Sequence, residues 1–73
     1  MTWLVDLSSS ADILKFMGEL GKIGCFVGLM DVLYDKVEKI FRIEVVAPLE
    51  AQEVARSIIV DFGGKFINHL IGR

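Results

Sequence analysis

The chain's 73 residues predict an all-α fold, one small domain over 1–73 with three short amphipathic helices at about 10–20, 24–41 and 48–70. Three observations carry that expectation. Charged residues recur at helical spacing, Ser9 and Asp12 form a capping pair, and Pro48 precedes an acid-rich first turn at Glu50 and Glu53.

Ser9 with Asp12 three residues later resembles a capping box, with the acid in place of the usual Glu or Gln. Asp12, Lys15, Glu19 and Lys22 then share an arc of about 80°, and Ile13, Leu14, Phe16, Met17 and Leu20 fill the opposite side. The second helix rests on Asp31, Asp35, Glu38 and Arg42, which share another arc. In one straight helix that arc lies about 150° around from the first. A break at Gly21 and Gly24 resolves the conflict, with Gly21 as a left-handed residue after Leu20. In the rival reading, residues 10–41 form one helix of about 50 Å. Pro48 opens the third helix. Its apolar arc, through Ile58, Ile59, Phe62, Phe66 and Leu70, is wider than one helical neighbour covers. Gly63-Gly64 within it marks a close contact, a bend or an end.

Two stretches also read as strands. Residues 2–7 and 40–46 are rich in Val, Ile, Trp and Phe, and Arg42 and Glu44 alternate with Ile43 and Val45. Paired, they form the alternative, a small α+β domain ordered β-α-α-β-α.

Composition points to association. The hydrophobic fraction is 53% and the mean hydropathy +0.56, more apolar surface than a chain of this size readily hides. One cysteine, Cys25, excludes an intrachain disulfide, and one cysteine with one histidine cannot complete a structural zinc site. A net charge of −2 without a basic stripe argues against nucleic acid as a partner. The opening residues lack a basic signal region, and no apolar run approaches the ~20 residues of a membrane span. Location is therefore expected to be cytoplasmic, or in an assembled or membrane-peripheral state.

No motif for catalysis, cofactor binding or metal binding stands out. His69 reads as a helix-terminal histidine, Cys25 as a buried small hydrophobe, and Asp31 as part of a solvated stripe. Asp35–Lys39 and Glu38–Arg42 read as i, i+4 surface pairs. The interface candidates are Trp3 in a terminal arm, Gly24 and Gly28 at a Gly-x-x-x-Gly spacing, and Ile58, Ile59, Phe62, Phe66 and Leu70 on the wide apolar face.

These features point to a non-enzymatic interaction protein that self-associates, as a homo-oligomer or filament subunit, or that binds a larger partner through apolar helix faces. The alternative is a membrane-active small protein, a pore former or bacteriocin. In layout alone, short apolar helices joined by a brief charged turn, the chain resembles conjugative pilins or holins. The charges at Glu50, Glu53, Arg56, Asp61 and Lys65 depart from the continuous apolar spans of those proteins.

Overall fold

A computed structural model describes residues 1–67. It overturns the all-helical expectation: the chain is a strand-rich α+β domain. In chain order the elements are β1 (Thr2–Ser8), α1 (Ile13–Lys22), β2 (Phe26–Asp35), β3 (Glu38–Val46), α2 (Gln52–Asp61) and β4 (Lys65–Phe66). A single 3-10 turn, Leu49–Ala51, leads into α2. The strands form one antiparallel sheet in the order β2-β3-β1-β4. β1 and β2 therefore run parallel with β3 inserted between them, a split β-α-β arrangement of the ferredoxin-like kind.

The α+β alternative identified the central pair. Thr2 to Ser8 lies opposite Val46 to Ile40 in register. On one sheet face Trp3, Val5 and Leu7 of β1 meet Val45, Ile43 and Phe41 of β3. Phe16 and Leu20 of α1 and Ala55 and Ile59 of α2 join them in a single core. Phe16 and Phe62 meet edge to face at 5.4 Å between ring centroids, a favoured arrangement of ring quadrupoles.

The expected second helix, 24–41, does not form, and with it falls the fused 10–41 helix. Those residues make β2, a two-residue turn and the start of β3. The arc shared by Asp31, Asp35, Glu38 and Arg42 is coincidental. Asp35 lies opposite Glu38 across the hairpin, and Arg42 pairs with Asp6 thirty-six residues away. The expected i, i+4 pairs of a helix are thus replaced by cross-strand neighbours. The third helix is also shorter than 48–70: α2 ends at Asp61 and the chain returns to the sheet as β4.

Both helices stop in the same way. After α1, Gly24 at φ +89° donates to Gly21 O, and the Cys25 N–H donates to Leu20 O. After α2, Gly63 at φ +79° donates to Val60 O, and the Gly64 N–H donates to Ile59 O. These are paired Schellman bonds, with glycine taking the left-handed position. Gly24 occupies that position, rather than Gly21, which lies inside α1. At α1's start Asp12 is the N-cap, its carboxylate accepting from the Lys15 N–H at 3.1 Å. The helix thus opens three residues beyond Ser10.

Gly64 is confined by packing. A β-carbon there would lie 2.7 Å from Ile59 Cγ2 and 2.9 Å from Val5 Cγ1, between the end of α2 and the centre of β1. Gly64→Ala should therefore destabilise the fold by about 1–3 kcal/mol through overpacking. Gly18→Ala, in α1 with open space around its α-carbon, should stabilise it by about 0.5–1 kcal/mol. Urea denaturation of the two variants checks both signs.

The β2–β3 turn, Lys36-Val37, places Lys36 at φ +60°. Glycine favours the first position of such a turn. Lys36→Gly should raise stability by up to about 1 kcal/mol, read as a higher urea midpoint with an unchanged slope.

Candidate functional site

The two helices and the hairpin decide what is left uncovered. Each helix has 10 residues, whereas β2 has 10 and β3 has 9. A residue adds about 1.5 Å to a helix and 3.4 Å to a strand, so the hairpin outreaches the helix layer. β1 and the inner half of β3 lie under cover. β2, at the sheet edge, does not.

The result is a run of exposed apolar side chains on one strand. Phe26 and Tyr34 are 73% and 68% exposed, and Leu29, Met30 and Val32 between them are also exposed. Leu29 lies opposite Ile43 and Val32 opposite Phe41, so both share the helix-facing side. Phe26 lies opposite Val46 on the other face. Elsewhere, exposed apolar residues such as Leu14, Leu49, Val54 and Val60 stand apart on the helices and their approach, an ordinary surface feature.

β2 also offers backbone. Only β3 pairs with it, so its outer row of amides and carbonyls meets no strand among the described residues. Natural sheets blunt such edges with lysine, proline or bulges. Residues 26–35 contain no lysine and no proline. They have one bulge at Met30, where the register shifts between Leu29 and Asp31. Asp31 accepts the Val32 N–H at 2.8 Å and so occupies one backbone donor.

The sheet face away from the helices, the polar face, carries charge at its centre and apolar residues such as Phe26, Leu33 and Ile40 around it. At one level across all four strands stand Asp31, Arg42, Asp6 and Lys65, paired in register β2 to β3, β3 to β1 and β1 to β4. The middle pair is bidentate: Arg42 Nε and Nη2 donate to Asp6 Oδ1 and Oδ2 at 2.8 and 2.9 Å. The hydrogen bonds to Asp6 raise the Arg42 pKa further, and the charge of Asp31 adds to that. Nearby, Ser8 donates a hydrogen bond to Glu38, tying β1 to the start of β3.

A hollow of about 340 Å³ on this face is lined by Asp6, Leu33, Tyr34, Asp35, Ile40 and Lys65. Its lining has acids and one lysine but no histidine, cysteine or serine, and Asp6 is already committed to Arg42. Among the described residues no group of three or more His, Cys, Asp or Glu is placed to hold a metal ion. Among them, too, no helix is long and apolar enough to cross a membrane.

The residues singled out in the sequence fall mostly elsewhere. Trp3 is buried in the chain's own core, its ring edge-to-face with Phe66 at 5.8 Å and the Arg56 guanidinium 5.6 Å above it. Ile59 is fully buried, and Ile58, Phe62 and Phe66 are half-buried against the same core. Among the described residues, these four of the wide apolar face pack into the chain's own core. Gly24 serves the turn after α1, and Gly28 lies in β2 opposite Glu44, so their spacing marks no helix face. Leu70 and His69 lie outside the described residues.

The sequence conceals the β2 row because its apolar residues also fit a helix. The signal available was the near-continuous run from Phe26 to Tyr34, broken only by Gly28 and Asp31.

Cys25 is buried beside Leu20 in the core. Burial pushes its thiol pKa up, and the N-terminal ammonium of Met1 opposes this weakly. A protonated, enclosed thiol is a poor nucleophile. A thiol-reactive dye should label Cys25 only after urea unfolding; rapid stoichiometric labelling of the folded protein would contradict this placement.

No protein-family model matches this chain, and neither a curated protein nor a solved structure matches it at a significant level.

Proposed function

We propose that this protein is a non-enzymatic interaction protein that self-associates through the exposed edge of β2. The observation that carries this reading is the row Phe26, Leu29, Met30, Val32 and Tyr34, exposed along a strand with an open edge. At ordinary side-chain areas the row presents on the order of 500 Å² of surface, divided between the two faces of the strand. A standard interface takes about 800 Å² from each partner. One strand's side chains with their backbone rungs supply much of that. Strand addition at an open edge combines main-chain hydrogen bonds with apolar side-chain burial, and both ingredients lie together on β2.

The chemistry of the polar face supports an interaction role over catalysis. Its central acid and base neutralise each other, and the hollow beside them gathers no nucleophile with a base.

Sedimentation velocity over a concentration series tests the proposal. The expected result is a mass that rises with concentration for the natural sequence. Leu29→Lys with Val32→Lys should shift the protein to monomer while leaving its circular dichroism unchanged, since both side chains are exposed. A monomer mass at every concentration, or unaltered assembly by the double variant, would overturn the reading. A parallel series with anionic liposomes addresses the membrane-active alternative. A chain that stays monomeric alone yet co-sediments with the vesicles would favour that alternative instead.

A further inference from the structure

We infer that copies of this chain join head to tail, the β2 edge of one copy meeting the β4 edge of the next. This rests on the self-association proposed above and specifies its geometry. The row Asp31, Arg42, Asp6 and Lys65 alternates in sign across the sheet. Among the described residues it ends in an exposed acid on the β2 edge and an exposed lysine on the β4 edge. Each end carries the charge that the other lacks. A β2-to-β4 junction places Asp31 beside Lys65 of the next copy and continues the alternation without interruption.

Strand direction agrees. β1 and β2 run one way and β3 and β4 the other. A copy shifted along the sheet, without being turned over, sets its β2 antiparallel to the β4 it meets. The pairing type is then the same as at every internal junction. Side-chain facing agrees as well. Lys65 lies opposite Asp6 on the polar face and Phe66 opposite Val5 on the helix-facing side. At the junction Phe66 therefore joins the side on which Leu29 and Val32 are exposed, while Lys65 joins the side of Asp31.

Two-fold pairings lack this match. Two β2 strands placed edge to edge leave Asp31 and Asp35 of both copies with no cation in residues 26–35 to face. Two β4 strands oppose Lys65 to Lys65. Like charges on facing strands are destabilising. Because each copy has one edge of each kind, the head-to-tail contact is heterologous, and the product is a ring or a filament rather than a closed dimer.

Charge swaps read out this geometry. Asp31→Lys gives a copy with lysine at both edges, and Lys65→Asp gives one with aspartate at both edges. Each variant alone should assemble about five- to tenfold more weakly than the natural chain. An equimolar mixture should regain assembly, because every junction in the mixture is again opposite in sign. Lys65→Gln, which sets no second acid beside Asp6, should weaken assembly in the same direction by less, with circular dichroism confirming that each variant is folded. Assembly of the natural chain that Lys65→Asp and Lys65→Gln leave unchanged would overturn the head-to-tail contact while self-association stands. Variants that fail alone and also fail when mixed would overturn it too. A natural chain that is monomeric at every concentration would overturn both.

Discussion

The structure depends on the burial of one sheet face under two short helices. β1 sits between β3 and β4, and its odd-numbered residues Trp3, Val5 and Leu7 are the floor on which Phe16, Leu20, Ala55 and Ile59 pack. In so small a chain the surface-to-volume ratio permits one core and little more. Ten-residue helices cover the strands at the centre and leave the long outer hairpin to solvent. The exposure of β2 is thus the remainder left when a small core is closed on a larger sheet.

Bringing the chain back to the sheet after each helix falls to two glycine-ended caps. The halves β1-α1-β2 and β3-α2-β4 use the same device: a glycine at positive φ, then an amide that bonds back to the last buried leucine or isoleucine of the helix. The second half is drawn tighter, because Gly64 sits against both Ile59 and Val5. Polar groups contribute on the opposite face. There the Asp6–Arg42 pair locks β1 to β3 in the register that the apolar side requires, since a one-residue slip would turn every core side chain outward.

The sequence makes the centre of this fold legible and its edge misleading. β1 and β3 show the β-branched and aromatic residues of strands, and the alternation around Arg42 and Glu44 reports their two faces. Gly63-Gly64 marks a real helix end, whereas the start lies later than the expected Ser9 cap: Asp12, the expected partner of Ser9, is itself the N-cap, and the Ser9 N–H donates to Lys39 O. β2 is obscured for physical reasons. As an edge strand with both faces wet, it lacks the strict apolar–polar alternation of a half-buried strand. Its bulge at Met30 breaks the period further. The hairpin turn has no Asn-Gly or Asp-Gly, and Lys36 takes the left-handed position that those pairs would have signalled. Asp31, Asp35, Glu38 and Arg42 then happen to fall at helical spacing. The exposed part of the apolar surplus gathers along β2, whereas Ile59 is buried in the chain's own core and Ile58, Phe62 and Phe66 pack against it.

Amide hydrogen exchange, followed in dilute and in concentrated protein, tests most directly whether β2 is the surface that a neighbour covers. If β2 is that surface, protection of amides within Phe26–Asp35 rises with concentration while that of β1 and β3 stays constant. Concentration-dependent protection confined to α1 or α2, with β2 exchanging freely throughout, would contradict it.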